Sequence, residues 1–152
     1  MNGRPFNLLL VEDNPDHAEL ARRSLELFPG TNFFHHVEDG ESALDYLFGR
    51  GHYADRVRFP APDLVLLDLR LPRMDGLEVL RHVKSHPTLC HTPVVVLTTS
   101  DAERDAAQAY EYHANRFITK PVGFEQLSQL ISDLGFCPVA TNRHPPNGCV
   151  RP

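Results

Sequence analysis

The chain has 152 residues, which is enough for one domain with a buried core. Hydrophobic residues make up 41% and charged residues 23%, as in ordinary globular proteins, and a net charge of -5 argues against a general nucleic-acid binder. We find neither an apolar run near the ~20 residues of a membrane span nor a signal peptide, so we expect no membrane association. Three cysteines form an odd, sparse set, which favours free thiols in a reducing, cytoplasmic compartment.

Strand-like and helix-like patterns alternate along the chain. Apolar runs predict strands at Phe6–Val11, Asn32–Val37, Leu64–Asp68, Pro93–Thr98 and Arg116–Thr119. Apolar residues at helical spacing predict helices at Asp16–Phe28, Glu41–Phe48, Gly76–His86, Asp101–His113 and Phe124–Leu134. The polar stretch Gly49–Pro62, which contains glycines and prolines, is predicted to be a loop. This alternation indicates an α/β fold, a (βα)5 doubly wound architecture with a five-stranded parallel sheet.

The domain boundary follows from where the periodicity stops. Residues 1–135 are predicted to form one domain that includes all the strands and helices. Residues 136–152 hold four prolines and no periodic pattern, so we expect a tail and no separate output domain.

Polar side chains stand at the ends of four predicted strands. Glu12 and Asp13 follow the first strand, Asp68 ends the third, Thr98 ends the fourth and Lys120 follows the fifth. Because the carboxyl ends of parallel strands lie along one edge of a sheet, we expect these residues to converge.

The chemistry of this set points to phosphoryl transfer. Three carboxylates repel one another unless one is protonated or a cation binds, and hard oxygen ligands suit Mg²⁺. A lysine and a hydroxyl suit the oxygens of a phosphoryl group, and a carboxylate can itself be the nucleophile. The residues alone therefore predict phosphoryl transfer to Asp68.

Four motifs resemble the receiver domain of two-component response regulators. They are Leu-Leu-Val-Glu12-Asp13-Asn-Pro, Leu-Leu-Asp68-Leu-Arg-Leu-Pro72-Arg-Met-Asp-Gly76, Val-Leu-Thr98-Thr-Ser and Ile-Thr-Lys120-Pro121. The resemblance spans roughly Phe6 to Leu134 and implies a flavodoxin-like, CheY-like fold. It also implies that Asp68 is the phosphoacceptor and that Mg²⁺ is the cofactor. Asp68 would also be a metal ligand. Asp13 would contact the metal directly, Glu12 mostly through water, and Arg70 through its backbone carbonyl.

The same resemblance assigns the switch. Thr98 matches the switch hydroxyl, Lys120 the phosphate-contacting lysine and Phe117 the aromatic switch residue. Phosphorylation would draw Thr98 toward the phosphoryl group and turn Phe117 inward, which reshapes the partner surface. The Lys120–Pro121 bond would be cis, and Arg70 and Ser100 occupy positions that tune hydrolysis of the acyl phosphate.

The resemblance also implies partners. A receiver accepts its phosphoryl group from a sensor histidine kinase and promotes only its own phosphorylation and dephosphorylation, so we expect no other enzyme activity. The connection Gly51–Asp63 is similar to that of single-domain regulators that pair with bacterial and cyanobacterial phytochrome kinases. Those regulators often form homodimers, so we expect one here, with a downstream phosphotransfer or effector protein and no DNA as partners.

Two other functions compete with the signalling switch. A receiver-like interaction module that works without phosphate would not need the full chemical set, which is present. An aspartate-nucleophile phosphatase wants a second acid two residues after the nucleophile, where this chain has Arg70. A P-loop enzyme is disfavoured because its glycine-rich motif is absent. His82 and His86 have zinc-like spacing, but without a third ligand nearby we expect a solvated helix face.

Overall fold

The computed structural model describes residues 6–26, 31–98, 116–119 and 123–133. Its strands are β1 Phe6–Val11, β2 Thr31–Val37, β3 Leu64–Asp68, β4 Val94–Thr98 and β5 Arg116–Thr119. Its helices are α1 Pro15–Glu26, α2 Gly40–Phe48, α3 Gly76–Ser85 and α4 Phe124–Asp133. These elements confirm the predicted ones to within one residue at each end, apart from the end of α1: α1 is described to Glu26, and the predicted end Phe28 lies outside the described residues. The predicted helix Asp101–His113 and the tail at 136–152 lie outside the described residues.

The strands form one parallel sheet with the order β2-β1-β3-β4-β5. Side chains alternate between the two faces along each strand. Leu9 and Val11 of β1 enter a core with α2 and α3, whereas Leu8 and Leu10 enter a core with α1 and α4. The central strands are buried on both faces, which explains their unbroken apolar runs. The predicted doubly wound α/β fold is therefore confirmed.

Three helices begin just after a strand, each with a polar side chain at its N-terminus. The Asn14 side chain accepts from the backbone N–H of Asp16 at 2.8 Å, at the start of α1. Asp39 accepts from Ser42 N–H at 2.7 Å at the start of α2, and Asp75 accepts from Glu78 N–H at 3.2 Å at the start of α3. Each such cap contributes about 1 kcal/mol. The caps place helix N-termini at the same edge as the strand ends.

The connection between α2 and β3 is ordered by aromatic packing that the sequence analysis did not anticipate. It contains a short 3-10 turn at Gly51–Tyr53. The His35 ring of β2 stacks on Tyr46 at 4.9 Å and meets the edges of Tyr53 and Phe59 at 5.4 and 5.6 Å. The Tyr46 hydroxyl donates to Pro60 O at 2.9 Å. The predicted loop therefore packs against β2, the edge strand of the sheet, through contacts between aromatic rings.

His35 makes folding stability depend on pH. Burial among these rings lowers the pKa of His35, with smaller effects from His36 and His52. The unfolded chain therefore binds this proton at a higher pH than the folded chain, and stability falls as pH falls through about 6.5. We expect a lower urea midpoint near pH 5.5 than near pH 7.5, and a smaller difference in His35→Phe. His91→Gln, which changes an exposed histidine, is the control. If the difference between the two midpoints shrank equally in both variants, the assignment of the pH dependence to His35 would be wrong.

Two findings concern the compartment. Cys90 is disulfide-bonded, so our expectation of free thiols is wrong for this cysteine. Among the described residues, none of the helices combines the length and the apolar character needed to cross a membrane. The cytoplasmic location stays a prediction.

Candidate functional site

Three carboxylates converge at the carboxyl ends of β1 and β3. Glu12 and Asp13 directly follow β1, and Asp68 is the last residue of β3, which pairs with β1. One oxygen from each carboxylate lies within 4.8 Å of the other two. Glu12 is 1% and Asp68 5% exposed, whereas Asp13 faces solvent. The sheet topology thus brings together the acids that the sequence analysis expected there.

Glu12 is held in place through both its backbone and its carboxylate. Its N–H donates to Val37 O at 3.0 Å, and the Asn14 N–H donates to its carboxylate at 3.2 Å. His36 Nε2 lies 2.7 Å from Glu12 O and must donate, because a carbonyl oxygen only accepts. His17 Nδ1 lies 3.7 Å from the Glu12 carboxylate. The fixed backbone gives this buried acid one orientation toward Asp68.

Neither histidine of this environment was predicted from the sequence. The partner of His36 lies 24 residues away in the chain, so no local pattern indicates the contact. For His17 a local signal existed, because Asn14 caps α1 and accepts from the His17 N–H at 3.2 Å. A residue in the first turn after the acidic pair faces the strand ends, which the pattern alone could have indicated.

Asp68 sits under a loop that folds back over the strand end. Its carboxylate accepts from the Arg70 N–H at 3.1 Å. Gly76 N–H donates to Leu69 O at 2.9 Å, and a Cβ built on Gly76 would lie 2.3 Å from Asp68 O. Only glycine permits this approach of α3 to the end of β3. Arg73 takes a positive φ of 68° within the same loop.

The remaining predicted site residues are described only in part. Thr98 ends β4 and pairs through its backbone with Thr119 of β5, one position beyond the pair Asp68–Leu97. The Thr98 side chain, Lys120, the Lys120–Pro121 bond and Ser100 lie outside the described parts of the chain. Phe117 of β5 is half-buried and packs against the core on the side of α2 and α3. Thr98 thus ends the strand beside β3, at the edge where the carboxylates lie, and its role as the switch hydroxyl stays a prediction.

Other clusters of ionisable side chains are structural. His82 lies 3.5 Å from Glu78 on α3, and His86 accepts from the Thr88 N–H at 3.0 Å. Within residues 6–26, 31–98, 116–119 and 123–133, Glu12, Asp13 and Asp68 form the one group whose geometry suits a metal ion. Its ligands are all carboxylate oxygens, which is the donor set that Mg²⁺ and Mn²⁺ prefer.

Comparison with known proteins matches this chain to one family. The model of the response regulator receiver domain matches residues 8–132. The chain is 43% identical over 141 residues to the probable methanogenesis regulatory protein FilR2 of Methanothrix harundinacea, covering 93% of this chain and 88% of that one.

Solved structures agree. The phosphorylated cyanobacterial phytochrome response regulator RcpA is similar with a TM-score of 0.73 and 42% identity, covering 84% of this chain and 89% of that one. The Mn²⁺-bound form of the response regulator Rcp1 is similar with a TM-score of 0.70 and 37% identity, covering 86% and 91%. The matched span includes all three acids of the cluster and β3 with its terminal aspartate. This chain therefore belongs to the response regulator receiver domain family.

Proposed function

We propose that this protein is a phosphorylation switch that accepts a phosphoryl group on Asp68 in the presence of Mg²⁺. The observation that carries the proposal is the carboxylate cluster, in which two of the acids are almost fully buried at neighbouring strand ends. Buried like charges this close favour a divalent cation. RcpA, a relative of the same fold, has been solved in a phosphorylated form.

The chain's own groups have separate roles in this proposal. The Asp68 carboxylate attacks phosphorus, while the Arg70 N–H on its other oxygen holds it in one rotamer. Asp13, the exposed acid, would contact the ion directly, and Asp68, Glu12 and the Arg70 carbonyl would complete the protein ligands. The bound cation supplies charge neutralisation at the phosphoryl oxygens. In this proposal Lys120 and Thr98 would contact the remaining oxygens, because β5 and β4 end at this edge with Thr119 and Thr98.

The response to phosphorylation is electrostatic. The modification adds roughly two negative charges, with strong acceptor oxygens, at the end of β3. Thr98 moves toward them, Phe117 turns inward and the surface near β5 changes its partners. Phe117 is only half-buried before the change, so its ring has room to move between two packings.

We further propose a sensor histidine kinase of the phytochrome class as the phosphoryl donor, and a homodimer as the working form in the cytoplasm. RcpA is by name a phytochrome response regulator. The phosphatase alternative has no support, because Arg70 offers no general acid and its N–H already contacts Asp68.

Intact-mass measurement tests the proposal. Phosphoramidate, a donor without an acyl group, should add one phosphoryl group to the protein when Mg²⁺ is present and none in EDTA. Reconstitution with a phytochrome histidine kinase should give the same adduct much faster. Failure with both donors, in a protein that binds Mg²⁺, would overturn the switch and favour a phosphate-independent module. Light scattering with and without beryllofluoride and Mg²⁺ would test the dimer.

The exposed acid gives a prediction about the metal. In Asp13→Asn the cluster loses one charge and one strong ligand, so Mg²⁺ affinity should fall by about tenfold or more. Calorimetric titration measures the affinity, and thermal unfolding should change little because Asp13 is exposed. Asp16→Asn, which changes an exposed acid in the first turn of α1, is the control. An unchanged titration in Asp13→Asn would remove this residue from the metal shell.

A further inference from the structure

Lys84 is an amine that the proposed switch does not use. The chain has 15 lysine and arginine residues, of which Lys84 and Lys120 are the lysines. Lys120 belongs to the candidate site, whereas Lys84 lies near the carboxyl end of α3. The basic residues of the helix surfaces are otherwise arginine and histidine, so a reagent for amines has few targets on this protein.

The surroundings of Lys84 fit a neutral amine. The residue is half-buried, and its Nζ donates to Cys90 O at 3.2 Å and to Thr92 O at 3.1 Å. In the described parts of the chain, no carboxylate pairs with it, although buried cations ordinarily have an anionic partner. A neutral amine has two N–H groups, which these two carbonyls accept, and one lone pair that remains available.

The electrostatics agree with this geometry. Burial lowers the pKa of Lys84 to about 8. Burial is the one cause of this shift. The other titratable side chains of α3 and of the turn before β4, which are Glu78, Arg81, His82, His86 and His91, do not contribute to it. A neutral fraction is therefore present near physiological pH, whereas an exposed lysine is almost entirely protonated there.

We propose that Lys84 is an acylation site whose amine takes the acyl group of small acyl phosphates, such as acetyl phosphate. The Lys84 nitrogen forms a bond to the acyl carbon, the bond from that carbon to the phosphate oxygen breaks, and inorganic phosphate leaves. The nitrogen then loses one proton to water and becomes an amide. Because the amine is half-buried between α3 and the turn before β4, a small donor reaches it more easily than a bulky one.

Acylation changes the hydrogen bonds that Lys84 makes. An amide nitrogen keeps one N–H, so one of the two carbonyls, of Cys90 or Thr92, loses its donor. These carbonyls precede β4, the strand that ends at Thr98. The modification therefore loosens the packing of α3 on the start of a strand whose other end lies at the candidate site.

Peptide mapping after treatment with acetyl phosphate tests the site. The folded wild type near pH 7.5 should acetylate Lys84 on the order of a hundredfold faster than the same lysine in urea, as its larger neutral fraction requires. The rate for the folded protein should level off above about pH 8, whereas the rate in urea should continue to rise toward pH 10. Phosphoramidate, which has no acyl group, should give no change at Lys84.

Two variants keep the result interpretable. Lys84→Arg keeps a cation and should lose only this acetyl adduct, while Asp68→Asn should acetylate at Lys84 as wild type does, since the two sites are separate. The α-amino terminus serves as an internal reference for donor activity. A folded-state rate at Lys84 equal to or below that in urea, with the terminus acetylated normally, would overturn the proposal.

Discussion

Asp68→Asn is expected to take up no phosphoryl group from phosphoramidate, under conditions in which the wild type gains one. The amide cannot act as the nucleophile, so the loss should be complete and not a reduction in rate. The fold should survive, because asparagine matches aspartate in size and its oxygen can still accept from the Arg70 N–H. Intact mass in the presence of Mg²⁺ measures the uptake, and urea unfolding verifies the fold.

A second acid in the same loop provides the control. Asp75 caps α3 by accepting from the Glu78 N–H, and Asp75→Asn retains that acceptor. This variant removes one negative charge from the loop but leaves the carboxylate cluster intact, so its phosphoryl uptake should match that of wild type. An adduct retained in Asp68→Asn, but lost on hydroxylamine treatment, would place the acceptor on another carboxylate, with Asp13 the nearest candidate.

The convergence of the acids could be predicted because it depends on local patterns. Four apolar residues before Asp68 mark a strand buried on both faces, and such strands belong to parallel sheets. Once the sheet is parallel, every strand ends at the same edge, so Glu12, Asp13 and Asp68 lie along that edge, and the pairing of β1 with β3 then brings them together. The strand order was not predictable in this way, because no local pattern states which strand lies beside which.

The features that could not be predicted from the sequence depend on contacts between residues far apart in the chain. The ring of His35 on β2 contacts Tyr53 and Phe59 of the Gly49–Pro62 connection. The composition of that stretch indicated only a loop. The donation from His36 to Glu12 O joins two strands. Lys84 shows no signal in the sequence, since its two acceptors are backbone carbonyls that any residue supplies. Side-chain patterns predict elements, whereas backbone partners are set only by the assembled fold.

Gly76→Ala should damage both stability and the candidate site. A Cβ at this position would lie 2.3 Å from Asp68 O and 2.6 Å from Leu69 Cα. Both neighbours are backbone atoms, so the end of β3 or the start of α3 must move. We expect the free energy of unfolding to fall by about 1–3 kcal/mol. Mg²⁺ affinity should fall as well, because the displaced backbone carries Asp68 and the Arg70 carbonyl with it.

Gly123→Ala separates this clash from the general effect of losing a glycine. A Cβ on Gly123 would meet no atom within 4 Å, and this residue, just before α4, is not in the left-handed region. Its free energy of unfolding should change by less than about 1 kcal/mol, because the lower entropy of the unfolded chain is offset by the poorer preference of alanine for this N-cap position, whose carbonyl accepts from the Leu127 N–H. Urea unfolding measures the stability of both variants, and Mg²⁺ titration measures their metal affinity. If Gly76→Ala behaved like Gly123→Ala, the close approach of α3 to Asp68 would not be what fixes the geometry of the carboxylate cluster.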